Sequence, residues 1–143
     1  MSTRIGWSLT AVFCAAALAA MSLAHAQQAP VVPVVVGDDV PIDAASCSLG
    51  QVTGLDPQGD NFLAVRGGPG TDHAQIDALH EGDLVYTCDA HGRWMGIVYE
   101  PGATQGSSTG HCGVPAPISP RQPYVGPCRS GWVFDGYVEI IAG

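Results

Sequence analysis

Residues 62–99 read FLAVRGGPGTDHAQIDALHEGDLVYTCDAHGRWMGIVY, and their punctuation decides the fold. In Phe62–Arg66, Leu63 and Val65 alternate with smaller or polar neighbours, the period-two pattern of a strand with one buried face. The cluster Gly67-Gly68-Pro69-Gly70-Thr71 follows as a tight turn, its glycines tolerating positive φ and Pro69 stiffening the loop. Gln75–Leu79 is a short extended arm, and His80-Glu81-Gly82-Asp83 turns the chain again. Leu84–Cys88 and Arg93–Tyr99 flank Ala90-His91-Gly92 as the two strands of a hairpin. Alternation along the first puts Val85 and Thr87 on one face and Leu84 and Tyr86 on the other.

Outward from this stretch the same texture continues. Ser48–Leu55 reads as an earlier strand and Asp56–Asn61 (DPQGDN) as a turn. Gly131–Phe134 and Tyr137–Ile141, separated by Asp135-Gly136, read as two closing strands. Between them residues 100–130 hold six prolines and five glycines, which makes a long loop. No stretch carries a 3.6-residue period long enough for a helix of three turns. The expectation is an all-β protein in which five or six short, bent strands close into a small barrel, hiding their edges. Val52, Leu63, Val65, Ile76, Leu79, Val85, Ile97, Val133 and Val138 would form its core.

The N-terminus has a different character. Arg4 precedes an apolar run from Ile5 to Met21, and Ala24-His25-Ala26 closes it with a small-x-small pattern. Residues 1–26 are therefore expected to be a secretory signal cleaved before Gln27, rather than a membrane anchor, because no charged stop-transfer flank follows. Cys14 lacks the small residues before it that a lipoprotein site requires. Residues 27–46, rich in Pro and Val without amphipathic period, are expected to be a mobile tether to a domain spanning 47–143.

Beyond the leader four cysteines remain, an even number that reads as two disulfides in an exported chain of periplasmic or secreted location. Of three possible pairings, Cys47 with Cys88 and Cys112 with Cys128 are favoured, and the sequence leaves the other two open. The second pair would close the proline-rich insertion on itself over 16 residues, for which the chain-entropy account gives about 3 kcal/mol. A core this small is marginal unaided, so covalent staples make sense.

From Gln27 onward four arginines face thirteen Asp and Glu, a formal charge of −9, and the chain has no lysine. Nucleic acid and anionic bilayers, both of which rely on Lys and Arg, are thereby disfavoured as partners. Several motifs tempt and fail. Gly106–Gly110 (GSSTG) matches a nucleophile elbow, but loop flanks it on both sides instead of strand and helix. Asp56 opens a calcium-like spacing whose twelfth position is Gly67 rather than a bidentate Glu. Cys88, His91, His111 and Cys112 offer thiols and imidazoles to zinc, yet disulfides are the expected fate of those thiols. His73 and His80 read as surface residues, and Asp77, Glu81 and Asp83 as turn and solvating carboxylates. No catalytic residue and no cofactor are expected.

Taken in order, Leu63-Ala64-Val65-Arg66-Gly67-Gly68-Pro69, Ile76…Leu79, Gly82…Val85, Gly92-Arg93-Trp94-Met95-Gly96-Ile97 and Gly131-Trp132-Val133 with Tyr137-Val138 resemble the bacterial SH3-like (SH3b) domain. The likeness extends over residues 49–141. The chain departs from the family pattern at Ala64, where Asn is usual, and in the long segment before Gly131, normally a tight hairpin. The resemblance implies an SH3-like barrel that binds cell-wall peptidoglycan or peptide segments without catalysis. It also implies a groove between the turn after Arg66 and the connection before Trp94. Asp72, His73, Tyr86, His91, Trp94 and, from the insertion, Tyr124 are the expected ligand contacts, while Trp132 is expected to pack internally. An alternative expectation follows from charge: an acidic, disulfide-stapled inhibitor or stress-protection protein that binds a cationic exported enzyme.

Overall fold

Short alternating segments separated by Gly- and Pro-containing turns have one economical arrangement, an antiparallel sheet built from hairpins. The computed structural model describes residues 27–40 and 43–143, so the expected leader at 1–26 lies outside the described residues. The strands are β1 (Val35–Val36), β2 (Ser48–Val52), β3 (Leu63–Arg66), β4 (Gln75–Leu79), β5 (Leu84–His91), β6 (Trp94–Tyr99), β7 (Gln122–Pro123), β8 (Arg129–Phe134) and β9 (Val138–Ala142). Seven of them form one sheet in the order β4-β3-β8-β6-β5-β2-β9, and β1 pairs separately with β7. All pairings are antiparallel. The described protein is all-β apart from 3-10 turns at Gly110–Cys112 and Asp135–Tyr137.

The β5–β6 hairpin is tighter than its sequence suggests. His91 pairs with Trp94, leaving only Gly92 and Arg93 in the turn, with Gly92 at φ 59°. β6 and β8 stay in register from Trp94 opposite Phe134 to Tyr99 opposite Arg129, so Arg129 and Ser130 of the expected 100–130 insertion belong to β8 and residues 100–128 form one elaborated hairpin loop. Register shifts at Leu49/Gly50, Val65/Arg66 and Thr87/Asp89 bend the strands.

This bending gathers residues from six strands into one core. Val52, Leu63, Val65, Leu79, Val85, Ile97, Tyr99 and Val133 are buried together, with Val138 packed at the margin. Ile76 is the exception to the expected core, at 52% exposed. Strand parity accounts for it: Leu79 points inward from β4, so Asp77 shares its face and Ile76 is turned outward. Asp77 uses that inward position to accept a hydrogen bond from the hydroxyl of Tyr99 at 2.8 Å.

The opposite face of the sheet carries a second core of Val34, Val36, Cys47, Tyr86, Val98, Cys112, Val114 and Trp132. Here the expected mobile tether is corrected. Val34 and Val36 are each 2% exposed, and the segment lies strapped across the sheet. The Val32 amide donates to the Gly67 carbonyl at 2.7 Å, and Trp132 Nε1 donates to the Val32 carbonyl at 2.8 Å. The Val35 amide donates to Asp89 at 3.0 Å, and the Tyr124 amide donates to the Val34 carbonyl at 2.9 Å. An aperiodic apolar segment finds a partner because the insertion folds back to form the other wall, and the burial of Val34 and Val36 together with the strap's hydrogen bonds offsets the entropy of ordering it.

Both favoured disulfides form, Cys47–Cys88 and Cys112–Cys128. Two such bonds fit an oxidising, extracellular-type environment. Among the described residues no helix is long and apolar enough to cross a membrane.

Candidate functional site

Trp94 opens β6 and Phe134 ends β8, and their opposed register sets the rings side by side. The centroids lie 6.0 Å apart with planes at 78°, an edge-to-face pair. Behind Phe134 the 3-10 turn presents Tyr137, whose ring is 6.4 Å away. Arg93 stacks its guanidinium 4.8 Å from the centre of the Phe134 ring and donates to both carboxylate oxygens of Asp135, at 2.8 and 3.0 Å. The Asp135 amide donates in turn to the Arg93 carbonyl at 3.0 Å. The ion pair is exposed and contributes little stability, but it fixes the wall on which the ring stands.

Facing this wall is the turn after β3. Arg66 Nη1 donates to the carbonyls of His73 at 2.9 Å and Thr71 at 3.5 Å, bracing the loop from inside. Gly68 lets the His73 ring pack against the turn, since a Cβ there would collide with that ring. Between wall and turn lies a groove of about 380 Å³, lined by Leu63, Ala64, Arg66, Thr71, Trp94 and Phe134. A second depression of about 510 Å³ shares Leu63, Ala64 and Arg66 and continues to Asp56, Asp60 and Tyr137. The combined surface is aromatic at one end and acidic at the other, with the Ala64 methyl where the resembled family usually carries an amide.

The expected contact residues do not converge. Trp94 lines the groove. Asp72 is exposed on the neighbouring turn, and His73 is turned away, its Nδ1 donating to the Pro30 carbonyl at 3.0 Å. His91 sits exposed at the hairpin tip. Tyr86, expected at the surface, is 7% exposed in the second core, with its hydroxyl 2.6 Å from Thr109 Oγ1. Tyr124 is half-buried in the insertion, where its hydroxyl donates to the Cys112 carbonyl and accepts from the Cys128 amide. Both tyrosines are consumed by the strap and insertion that cover their face. Trp132, at 3% exposed, packs internally as expected.

Sequence reasoning missed Arg66, Phe134 and Tyr137 as groove residues. The available signal was Phe134-Asp135-Gly136-Tyr137: two aromatics bracketing a turn, on strands whose partner begins at Trp94. The three carboxylates read as structural have structural partners. Asp83 accepts from the His80 amide at 2.8 Å, and Glu81 accepts from the amides of Gly54 and Leu55. Asp77 is held between Tyr99 and Arg129. Compared with known proteins, the chain matches no family model, no curated protein and no solved structure.

Proposed function

We propose that the chain is a noncatalytic, exported binding module whose curled sheet is an SH3-like barrel of the bacterial type, and that it binds peptidoglycan or a wall-linked peptide segment in the groove beside Trp94. The carrying observation is the Trp94–Phe134 wall facing the Gly67–Thr71 turn. This groove shares with the one that the sequence resemblance implies the turn after Arg66 and Trp94. Aromatic faces offer large contact area at low entropic cost and stack on the C–H faces of sugars or on proline rings. A signal-directed periplasmic or secreted location supplies both ligands.

A second reading rests on charge. Arg93, Arg121 and Arg129 are each paired with an aspartate, so most of the remaining carboxylates give the surface an acidic field. That field would steer a cationic exported enzyme onto an inhibitor. Co-sedimentation with isolated peptidoglycan sacculi separates the two. Wall binding through stacking predicts pelleting that survives moderate salt and is lost in Trp94→Ala. The absence of pelleting at both low and moderate salt would refute it, and a salt-labile complex with a cationic enzyme would favour the second reading.

A further inference from the structure

The insertion places three donors of a soft-metal site on one spot. His111 and Cys112 lie on the 3-10 turn Gly110–Cys112, Cys128 immediately precedes β8, and their ligand atoms all fall within 4.8 Å of one another. His111 Nε2 is 3.5 Å from Cys128 Sγ and 3.5 Å from Glu100 Oε1. With Zn–S at about 2.3 Å and Zn–N at about 2.0–2.1 Å, neighbouring donors around a tetrahedral ion stand roughly 3.3–3.8 Å apart. Two of the required separations are therefore already present. The two sulfurs are joined to each other and must part before a metal can take them.

Hydrogen bonds as well as the disulfide hold the frame around the sulfurs. The Tyr124 hydroxyl donates to the Cys112 carbonyl at 3.0 Å and accepts from the Cys128 amide at 3.1 Å, tying both backbones to one atom. Gly126 permits this approach, because a Cβ there would lie 2.4 Å from that hydroxyl. The Cys112 amide donates to the Thr109 carbonyl, and the Gly113 amide donates to the Gly110 carbonyl, fixing the turn that carries His111. Cys112 is 2% exposed and Cys128 half-buried, so an incoming thiolate reaches Cys128 first.

We propose that the Cys112–Cys128 disulfide is a redox-gated zinc site: a protein dithiol opens it, and the released thiolates bind Zn²⁺ with His111 Nε2 and Glu100. In the opening step a reductant thiolate attacks Cys128 Sγ, the Cys112–Cys128 bond breaks, and Cys112 leaves as a thiolate. The reductant's second thiol, deprotonated, attacks its own sulfur in the mixed disulfide and releases Cys128. Two electrons pass to the protein, and the reductant departs as a disulfide. Zinc then holds both released cysteines as thiolates, and the two protons of the reductant's thiols go to solvent. This site lies in the insertion and is independent of the Trp94 groove. Cys47–Cys88 has no corresponding site among the clusters of three or more donors in the described residues.

The test is Co²⁺ titration of the purified protein, oxidised and after phosphine reduction, read by visible absorption and by circular dichroism for retained fold. The expected result is one Co²⁺ per reduced chain with tetrahedral bands and sulfur-to-cobalt charge transfer, displaced by Zn²⁺, and no such bands from oxidised protein. His111→Ala should weaken binding more than about tenfold, and Tyr124→Phe about tenfold, since removal of outer-shell support typically costs 10–100-fold. Cys112→Ser should abolish the charge-transfer signal of this site, while Cys47→Ser with Cys88→Ser should leave it. The proposal is overturned if reduced protein shows no such bands, if reduction unfolds the chain, or if His111→Ala binds as tightly as the parent.

Discussion

Asp77 links three strands through one carboxylate. Tyr99 Oη donates to it from β6 at 2.8 Å, and Arg129 Nη1 from β8 at 3.0 Å. Burial works to raise its pKa, but the hydrogen bonds from Tyr99, the Ala78 amide and Arg129 prevail and hold it below the ordinary carboxylate value. Tyr99 moves the other way: burial, and then the neighbouring carboxylate, push its hydroxyl upward. The two shifts act at opposite ends of the pH scale. The depressed Asp77 stabilises the fold above the unfolded carboxylate value near 3.9 and loses that contribution as pH falls through its folded value. The raised Tyr99 stabilises it below the unfolded phenol value near 10 and loses that contribution as pH rises through its folded value. Urea unfolding across pH should therefore show stability declining below about pH 4 and above about pH 10. Tyr99→Phe should cost roughly 1–3 kcal/mol at neutral pH and flatten the alkaline decline. An unchanged alkaline limb in that variant would contradict the assignment.

At the scale of elements the strap and the insertion matter most. Asp89 receives the Val35 amide on one oxygen and Arg121 on the other at 2.9 Å, so one β5 carboxylate anchors both. If 27–36 were a tether, substitutions there would be silent. Instead Val34→Ala and Val36→Ala should each cost roughly 2 kcal/mol in urea unfolding, against about 0.5 kcal/mol or less for exposed Val31→Ala. Equal, negligible effects at all three positions would return the segment to a tether.

The strand segments of the main sheet were legible because alternation and turn residues are local signals, although the expected five or six strands become seven; β3 to β6 follow the spacing of residues 62–99 closely. The strap was illegible because nothing in QQAPVVPVVVG has a period. Its burial depends on a surface that exists only once the insertion folds over Tyr86 and Val98. The same long-range event explains the candidate site. Trp94 was readable from Gly-x-Trp at a hairpin, but Tyr86 and Tyr124 were aromatic for packing, and which aromatics remain accessible is set by what covers the outer face.

For the molecule as a whole, covering that face concentrates accessible aromatic surface on one side, between the Gly67–Thr71 turn and the Asp135–Tyr137 turn. The two disulfides fasten the arrangement in different ways. Cys47–Cys88 pins the start of the main sheet to its central hairpin over 41 residues, and Cys112–Cys128 closes the insertion over 16. Replacing the first pair by serine should cost about 4 kcal/mol and the second about 3 kcal/mol by the loop-entropy account, measured as the shift in unfolding free energy. If loss of Cys112–Cys128 left stability unchanged, the insertion would not be part of the cooperative fold.

The central claim is that this groove, and not the hairpin tip or the insertion, meets the ligand. The most direct measurement is a proton–nitrogen correlation spectrum of the oxidised protein titrated with soluble peptidoglycan fragments. The account predicts shifts at the Trp94 indole N–H and the amides of Ala64, Arg66, Thr71 and Phe134, with His91 and Tyr124 unmoved. Shifts centred on His91 or Tyr124, or none at saturating fragment, would contradict it.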